Sequence, residues 1–143
     1  MTRAAWPHLR ERKGSIVNIV GIGSRAGPAE FTIGGPVNVA PLNFTKAMAG
    51  IGISQGVRVN AINPGLIATG RFSRNVERTM NDRNFTREQA LTFLVSPHGT
   101  AGVGQPEEIG SLVAYLASVK ADFIQGCIID IDIDIDGGAT RSL

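Results

Sequence analysis

Apolar and polar positions change their period along this chain, and the changes mark its elements. Residues 2–11 look like the last turns of a helix. "GSIVNIV" (14–20) is a β-branched run behind Gly14 and predicts a buried strand. A glycine-rich loop follows, "GIGSRAG" (21–27). From about Asn38 to Gly50 the pattern is moderately helical, with Val39, Leu42 and Ala49 apolar, until Gly52 and Gly56 break it. "VRVNAIN" (57–63) alternates with period two and runs into Pro64-Gly65, a turn signal. Residues 66–104 read as a long insertion holding one short helix, "TREQALTFLV" (86–95), with Thr86 as its N-cap. "QPEEIGSLVAYLAS" (105–118) is the clearest helix. Pro106 suits its first position, Glu107 and Glu108 face the positive end of its dipole, and Ile109, Leu112, Val113 and Leu116 make one apolar stripe. "CIIDIDIDID" (127–136) is the last strand, closed by Gly137-Gly138.

Strand, helix, strand, long loop, helix, strand is the order of right-handed crossovers and a parallel sheet, an α/β fold. Residues 1–143 suffice for one domain with one core. Hydrophobic residues at 43% and charged residues at 18% place the chain with folded globular proteins, not disordered ones. No apolar run approaches the ~20 residues that span a bilayer, so no membrane role is expected. The N-terminus lacks the apolar core of a secretion signal, and the single Cys127 cannot form an internal disulfide; a reduced cytoplasm is the expected setting. Arginines cluster at 71, 74, 78, 83 and 87, interleaved with Glu77, Asp82 and Glu88. No nucleic-acid motif or aromatic platform accompanies them, so a solvated face is expected rather than nucleic-acid binding; weak attraction of an anionic substrate is the alternative.

Five stretches, "GSIVNI", "FTKAMA", "GVRVNAINPGLIAT", "QPEEIGSLVAYLAS" and "IDGG", occur in the order in which the short-chain dehydrogenases/reductases carry similar blocks. The similarity covers nearly the whole chain and resembles the C-terminal half of such an enzyme. It implies a Rossmann-like sheet of which only the last three strands are present. The family's Gly-rich turn after its first strand, which meets the cofactor pyrophosphate, has no counterpart here. "GIGSRAG" follows a later strand and reads as a tight loop. The resemblance implies NAD or NADP as cofactor and Pro64, Gly65, Ile67 and Thr69 as cofactor-binding positions. In the family, the backbone at the Ile67 position and the hydroxyl at the Thr69 position hold the nicotinamide carboxamide.

The same resemblance locates the chemistry. Family members move a hydride between nicotinamide and an alcohol or carbonyl carbon. A tyrosine handles the proton, a lysine four residues on lowers its pKa and holds the ribose, and a serine thirteen residues before it orients the substrate. Counting from "NFTKAMA" puts Gly34 at the tyrosine position, Asn38 at the lysine position and Gly21 at the serine position. "GSIVNI" independently puts the serine at Gly21. No catalytic residue is therefore assigned. Divergent members of the family carry the same Gly-x-x-x-Asn pattern. Lys46 lies roughly 80° around the helix from Asn38 and does not replace the lysine. Tyr115 sits where the family has core aromatics. Ser24 and Thr32 could hydrogen-bond a substrate, but neither has an evident base. His8 and His98 are isolated and read as loop or surface residues, and no metal-ligand spacing occurs.

Two departures remain. Pro41 falls inside the aligned helix, which should start later or kink. The run from Ile129 to Asp136 has two surplus Ile-Asp pairs; an even insertion keeps Ile129, Ile131, Ile133 and Ile135 on one face and Asp130, Asp132, Asp134 and Asp136 on the other. A calcium site would need a wrapping loop that a plain strand lacks. Three readings follow: an oxidoreductase half, inactive as this chain alone, with a small-molecule alcohol or carbonyl substrate; a non-catalytic module that forms a homo-oligomer or associates with a full-length relative; and a degenerate remnant without activity.

Overall fold

The computed structural model describes residues 1–25, 32–98 and 102–131. In order it contains α1 (Thr2–Arg12), β1 (Ser15–Ile19), a 3-10 turn (Ile22–Ser24), α2 (Gly34–Gln55), β2 (Arg58–Pro64), α3 (Gly70–Arg83), α4 (Arg87–Val95), α5 (Pro106–Ala117) and β3 (Ile128–Ile131). The three strands pair in parallel in the order β1-β2-β3. This is the α/β arrangement expected from the alternation of elements. The Ile-Asp run beyond Ile131 lies outside the described residues.

Helices cover both faces of β2. On one face Ala49, Val57 and Val59 pack with Trp6, Leu9, Ile16 and Met48 from α1, α2 and β1. On the other, Ile62, Leu116 and Ala121 pack with Val17, Leu112, Val113, Ile129 and Ile131. Val59, Asn60, Ala61, Ile62 and Asn63 are all buried. The period-two alternation seen in 57–63 is therefore not an inside–outside alternation. Its polar members are inside too, each with a hydrogen-bond partner. Asn60 donates to the Ile124 carbonyl at 2.9 Å and accepts from the Cys127 N–H at 2.9 Å. By contrast β1, expected to be buried, is only half-buried, because it is the edge of the described sheet.

Gln125 ties β2 to α2. Its side-chain oxygen accepts from the Val59 N–H, and its amide donates to the carbonyls of Ala49 and Val57. Arg58 reaches the other way. Its guanidinium donates to the carbonyls of Leu116, Ala117, Ser118 and Ala121. A cation there satisfies carbonyls that the end of α5 leaves open and complements its negative pole.

Several boundaries differ from the sequence expectation. α2 starts at Gly34, not Asn38, and runs through both Pro41 and Gly52 to Gln55, with Gly56 as its C-cap. Pro36 falls in the first turn, where the backbone N–H has no intrahelical partner anyway. Pro41 does remove one bond, but it neither delays nor ends the helix. Thr45 donates back to the Pro41 carbonyl at 2.7 Å and accepts from Asn18 of β1 at 2.8 Å, so the turn is anchored to the sheet. Residues 66–104 hold a second helix, α3, that the sequence reading missed. α3 and α4 pack chiefly on each other. Thr86 does cap α4, in a reciprocal pair with Gln89. Tyr115 is not a core aromatic: it is 44% exposed, on the outer side of α5.

Candidate functional site

The site positions gather at the carboxyl ends of β1 and β2, where open parallel sheets bind ligands. β1 leads through Val20, whose N–H donates to the Ile62 carbonyl at 2.9 Å, to Gly21. Gly21 has φ +148, a backbone conformation open to glycine and strained for other residues. Its N–H donates to the Asn63 side-chain oxygen at 3.3 Å. The Asn63 amide in turn donates to Asp130 at 2.7 Å, and Asp130 pairs with Arg25 at 3.1 Å. One buried asparagine thus links the loop after β1 to β3. Sequence reasoning did not single out Asn63 or Arg25, and it named Asp130 only as one of a face of aspartates. A polar residue at the end of a fully buried strand was the available signal.

Asn38, one turn into α2, faces Gly21. A Cβ built on Gly21 would lie 3.6 Å from the Asn38 side-chain nitrogen. Gly21 and Asn38, the two positions that the resemblance equates with the family's serine and lysine, are therefore neighbours. Gly34, at the tyrosine position, is the first residue of α2 and brings no side chain. The Asn38 amide has no hydrogen-bond partner among the described residues. Ser24 also lies close by, its N–H donating to the Gly21 carbonyl at 3.1 Å. Its hydroxyl is buried with no partner among the described residues. Thr32 and Lys46 are exposed, as is His8 on α1. Tyr115 donates to the Lys120 carbonyl, at 3.5 Å. Among the described residues no group of three or more His, Cys, Asp or Glu side chains is placed to hold a metal ion.

The second part of the site is the turn after β2. Pro64 ends the strand, and Gly65 and Leu66 lead to Ile67, which bridges in parallel to Gly104. The Gly104 N–H donates to the Leu66 carbonyl at 2.9 Å, and the Gly104 carbonyl accepts from Ala68 at 2.8 Å. A Cβ on Gly104 would come within 3.0 Å of the Ile67 side chain, so glycine allows this close approach. Thr69 then caps α3, its hydroxyl accepting from the Phe72 N–H at 3.4 Å. The Ile67 N–H has no acceptor among the described residues, and the Thr69 hydroxyl keeps its proton free to donate. One backbone donor and one hydroxyl donor, without partners among the described residues, are held two residues apart on a braced turn.

A family model described as enoyl-(acyl carrier protein) reductase matches residues 1–140. An acetoacetyl-CoA reductase of Shinella zoogloeoides is 35% identical over 131 residues, covering 90% of this chain and 50% of the relative. The structure of an L-sorbose reductase from Gluconobacter frateurii, complexed with NADPH and L-sorbose, superposes with a TM-score of 0.86 at 26% identity, over 99% of this chain and 53% of that one. A 4-hydroxyisoleucine dehydrogenase complexed with NADH gives a TM-score of 0.77 at 28% identity, over 96% and 54%. The chain spans about half the length of the relatives it matches. No described helix is long and apolar enough to cross a membrane.

Proposed function

Because the chain belongs to the short-chain dehydrogenase/reductase family, we propose that it forms the carboxamide- and substrate-facing half of an NAD(P)-dependent oxidoreductase fold for alcohol or carbonyl compounds, and that alone it turns nothing over. The carrying observation is the meeting of Gly21 and Asn38 beside Gly34, where proton-handling side chains would have to stand. Relatives with NADPH and with NADH support the cofactor class without choosing between the two. The Ile67 N–H and the Thr69 hydroxyl would hold the carboxamide, with Pro64 and Gly65 shaping the turn. A bound nicotinamide would supply or accept the hydride. This chain's own residues would orient the ring edge, but none would move a proton at the substrate oxygen. An amide such as Asn38 can hydrogen-bond that oxygen but cannot act as its acid or base near neutral pH.

Cofactor titration tests the binding half of this reading. Two carboxamide contacts leave the pyrophosphate unheld, so neither NADPH nor NADH should give a saturable signal in calorimetry with the 143-residue chain. Micromolar or tighter binding would show that the chain holds a complete cofactor site.

A second reading has its own observation. Ile33, Val37, Phe44 and Ile51 recur along one side of α2 and are 79%, 61%, 42% and 47% exposed. Such an apolar stripe suits association with another copy or with a relative. Light scattering should find more than one chain per particle, and Phe44→Lys should return it to a monomer. A monomeric parent chain at high concentration would rule out self-association.

A further inference from the structure

We propose that the open edge of β1 is a docking seam, and that it takes as one further parallel strand a second polypeptide carrying the pyrophosphate-holding half of a related reductase. The proposal rests on the reading that this chain forms only the carboxamide- and substrate-facing half of such a fold. It names the surface and the partner that complete it.

Hydrogen-bond parity identifies the open groups of β1. Along a strand, the N–H and C=O of one residue point to one side and those of the next residue to the other. The Gly14 carbonyl accepts from the Arg58 N–H at 3.0 Å, and the Val20 N–H donates to the Ile62 carbonyl at 2.9 Å. Gly14, Ile16, Asn18 and Val20 therefore turn their main-chain groups to β2. Ser15, Val17 and Ile19 turn theirs the other way. These three N–H and three carbonyl groups have no partner among the described residues. Such a row is a template for strand addition.

Nothing in β1 guards this edge. Its sequence is Ser-Ile-Val-Asn-Ile, without the charge or proline that blunts an edge strand. β3, the opposite edge of the described sheet, is four residues long and carries Asp130. Helical layers already flank β1 on both faces: Ile16 packs in the cluster under α1 and α2, and Val17 in the cluster under α5. A strand added beside β1 thus extends a covered sheet, the setting that parallel strands require. Ile19, 53% exposed at the end of β1, is left for the incoming layer to cover.

The cofactor reading fixes the direction and the occupant. The carboxamide positions lie in the turn after β2, and open parallel sheets bind ligands outside the carboxyl ends of their strands. A dinucleotide held there meets a pyrophosphate cradle only if the added strand ends on the same side of the sheet, parallel to β1. A second copy of this chain cannot supply the cradle, because its sequence has no counterpart of the Gly-rich turn that opens a helix beneath a pyrophosphate. This chain covers 50% of the acetoacetyl-CoA reductase, and the uncovered half is a partner of the size that the seam needs.

Production of the 143-residue chain in one cell with the uncovered half of the Shinella zoogloeoides reductase, followed by purification on a tag carried by this chain, tests the proposal. A one-to-one complex is expected. In the free chain the amides of Ser15, Val17 and Ile19 should exchange with deuterium fast and those of Ile16, Asn18 and Val20 slowly; in the complex all should be slow. Ile19→Pro removes an outward N–H and no bond to β2, so it should leave the free chain folded by circular dichroism and weaken the complex at least ten-fold. Ile19→Ala keeps that N–H and should weaken it less. Phe44→Lys, on α2, should leave the complex intact. No complex would overturn the proposal, as would one indifferent to Ile19→Pro or one in which the outward amides exchange as in the free chain. Protection of the same amides in this chain alone at high concentration would also overturn it, assigning the edge to a second copy. None of these readouts involves a nicotinamide. Their failure leaves the carboxamide reading standing, and failure of that reading shows in the cofactor titration instead.

Discussion

Gly52→Ala is expected to cost about 3 kcal/mol or more of stability, while Gly50→Ala, two residues away, should be neutral or gain up to about 1 kcal/mol. Both glycines are inside α2, so intrinsic helix preference favours alanine at each. What differs is the surroundings. A Cβ on Gly52 would collide with the Val57 carbonyl oxygen and stand 3.0 Å from the Gln125 amide. That amide donates to the Ala49 and Val57 carbonyls, and its oxygen receives the Val59 N–H. The clash cannot be absorbed by a side-chain rotation, because the obstacle is backbone. α2 and the start of β2 would have to separate, loosening the clamp and the Ala49–Val57–Val59 cluster. A Cβ on Gly50 meets nothing within 4 Å. Thermal or urea unfolding of the two variants beside the parent chain measures the contrast. Equal effects would show that α2 does not approach β2 this closely.

The largest functional effect expected is the absence of turnover. A positioned proton donor is worth typically 10²–10⁴ in rate, and the two groups that support it in the family are missing too. Neighbouring residues do not fill the gap. Lys46 is exposed, and Tyr115 lies on the outer side of α5. Asp130 is held by Arg25 and Asn63. Reversal is not a matter of three side chains. Gly34 and Asn38 lie on α2, but Gly21 has φ +148. A serine there would strain the backbone by about 1–3 kcal/mol or shift the loop that Asn63 holds.

Strong local signals made much of the fold legible. The α5 stripe, the Thr86 cap and the β-branched run of β1 each carry a single-element signature, and all three elements are present. α3 was only partly legible: arginine and polar residues dominate it, only Val76 is buried, and Phe72, Val76 and Met80, recurring every four residues, give it one narrow apolar line. The Thr69 cap and packing on α4 hold it in place. The start of α2 was hidden by Gly34-Gly35-Pro36, residues that discourage a helix interior but are tolerated in a first turn. Gly52 read as a breaker because its reason, the approach of Val57, is five residues away and tertiary in origin. The site divided the same way. Counting from the family blocks singled out Gly21 and Asn38; that they are neighbours comes from the structure. The Asn63–Asp130–Arg25 link joins residues up to 105 positions apart and could not be counted.

The most direct measurement is nicotinamide oxidation by the purified 143-residue chain, with NADPH or NADH at millimolar concentration so that weak binding does not limit the rate, against a panel of carbonyl compounds. The account predicts a rate indistinguishable from the protein-free control for every compound. Reduction of any of them at an ordinary enzymic turnover, about 1 s⁻¹ or faster, would mean that some group in this chain delivers the proton, and the account would be wrong.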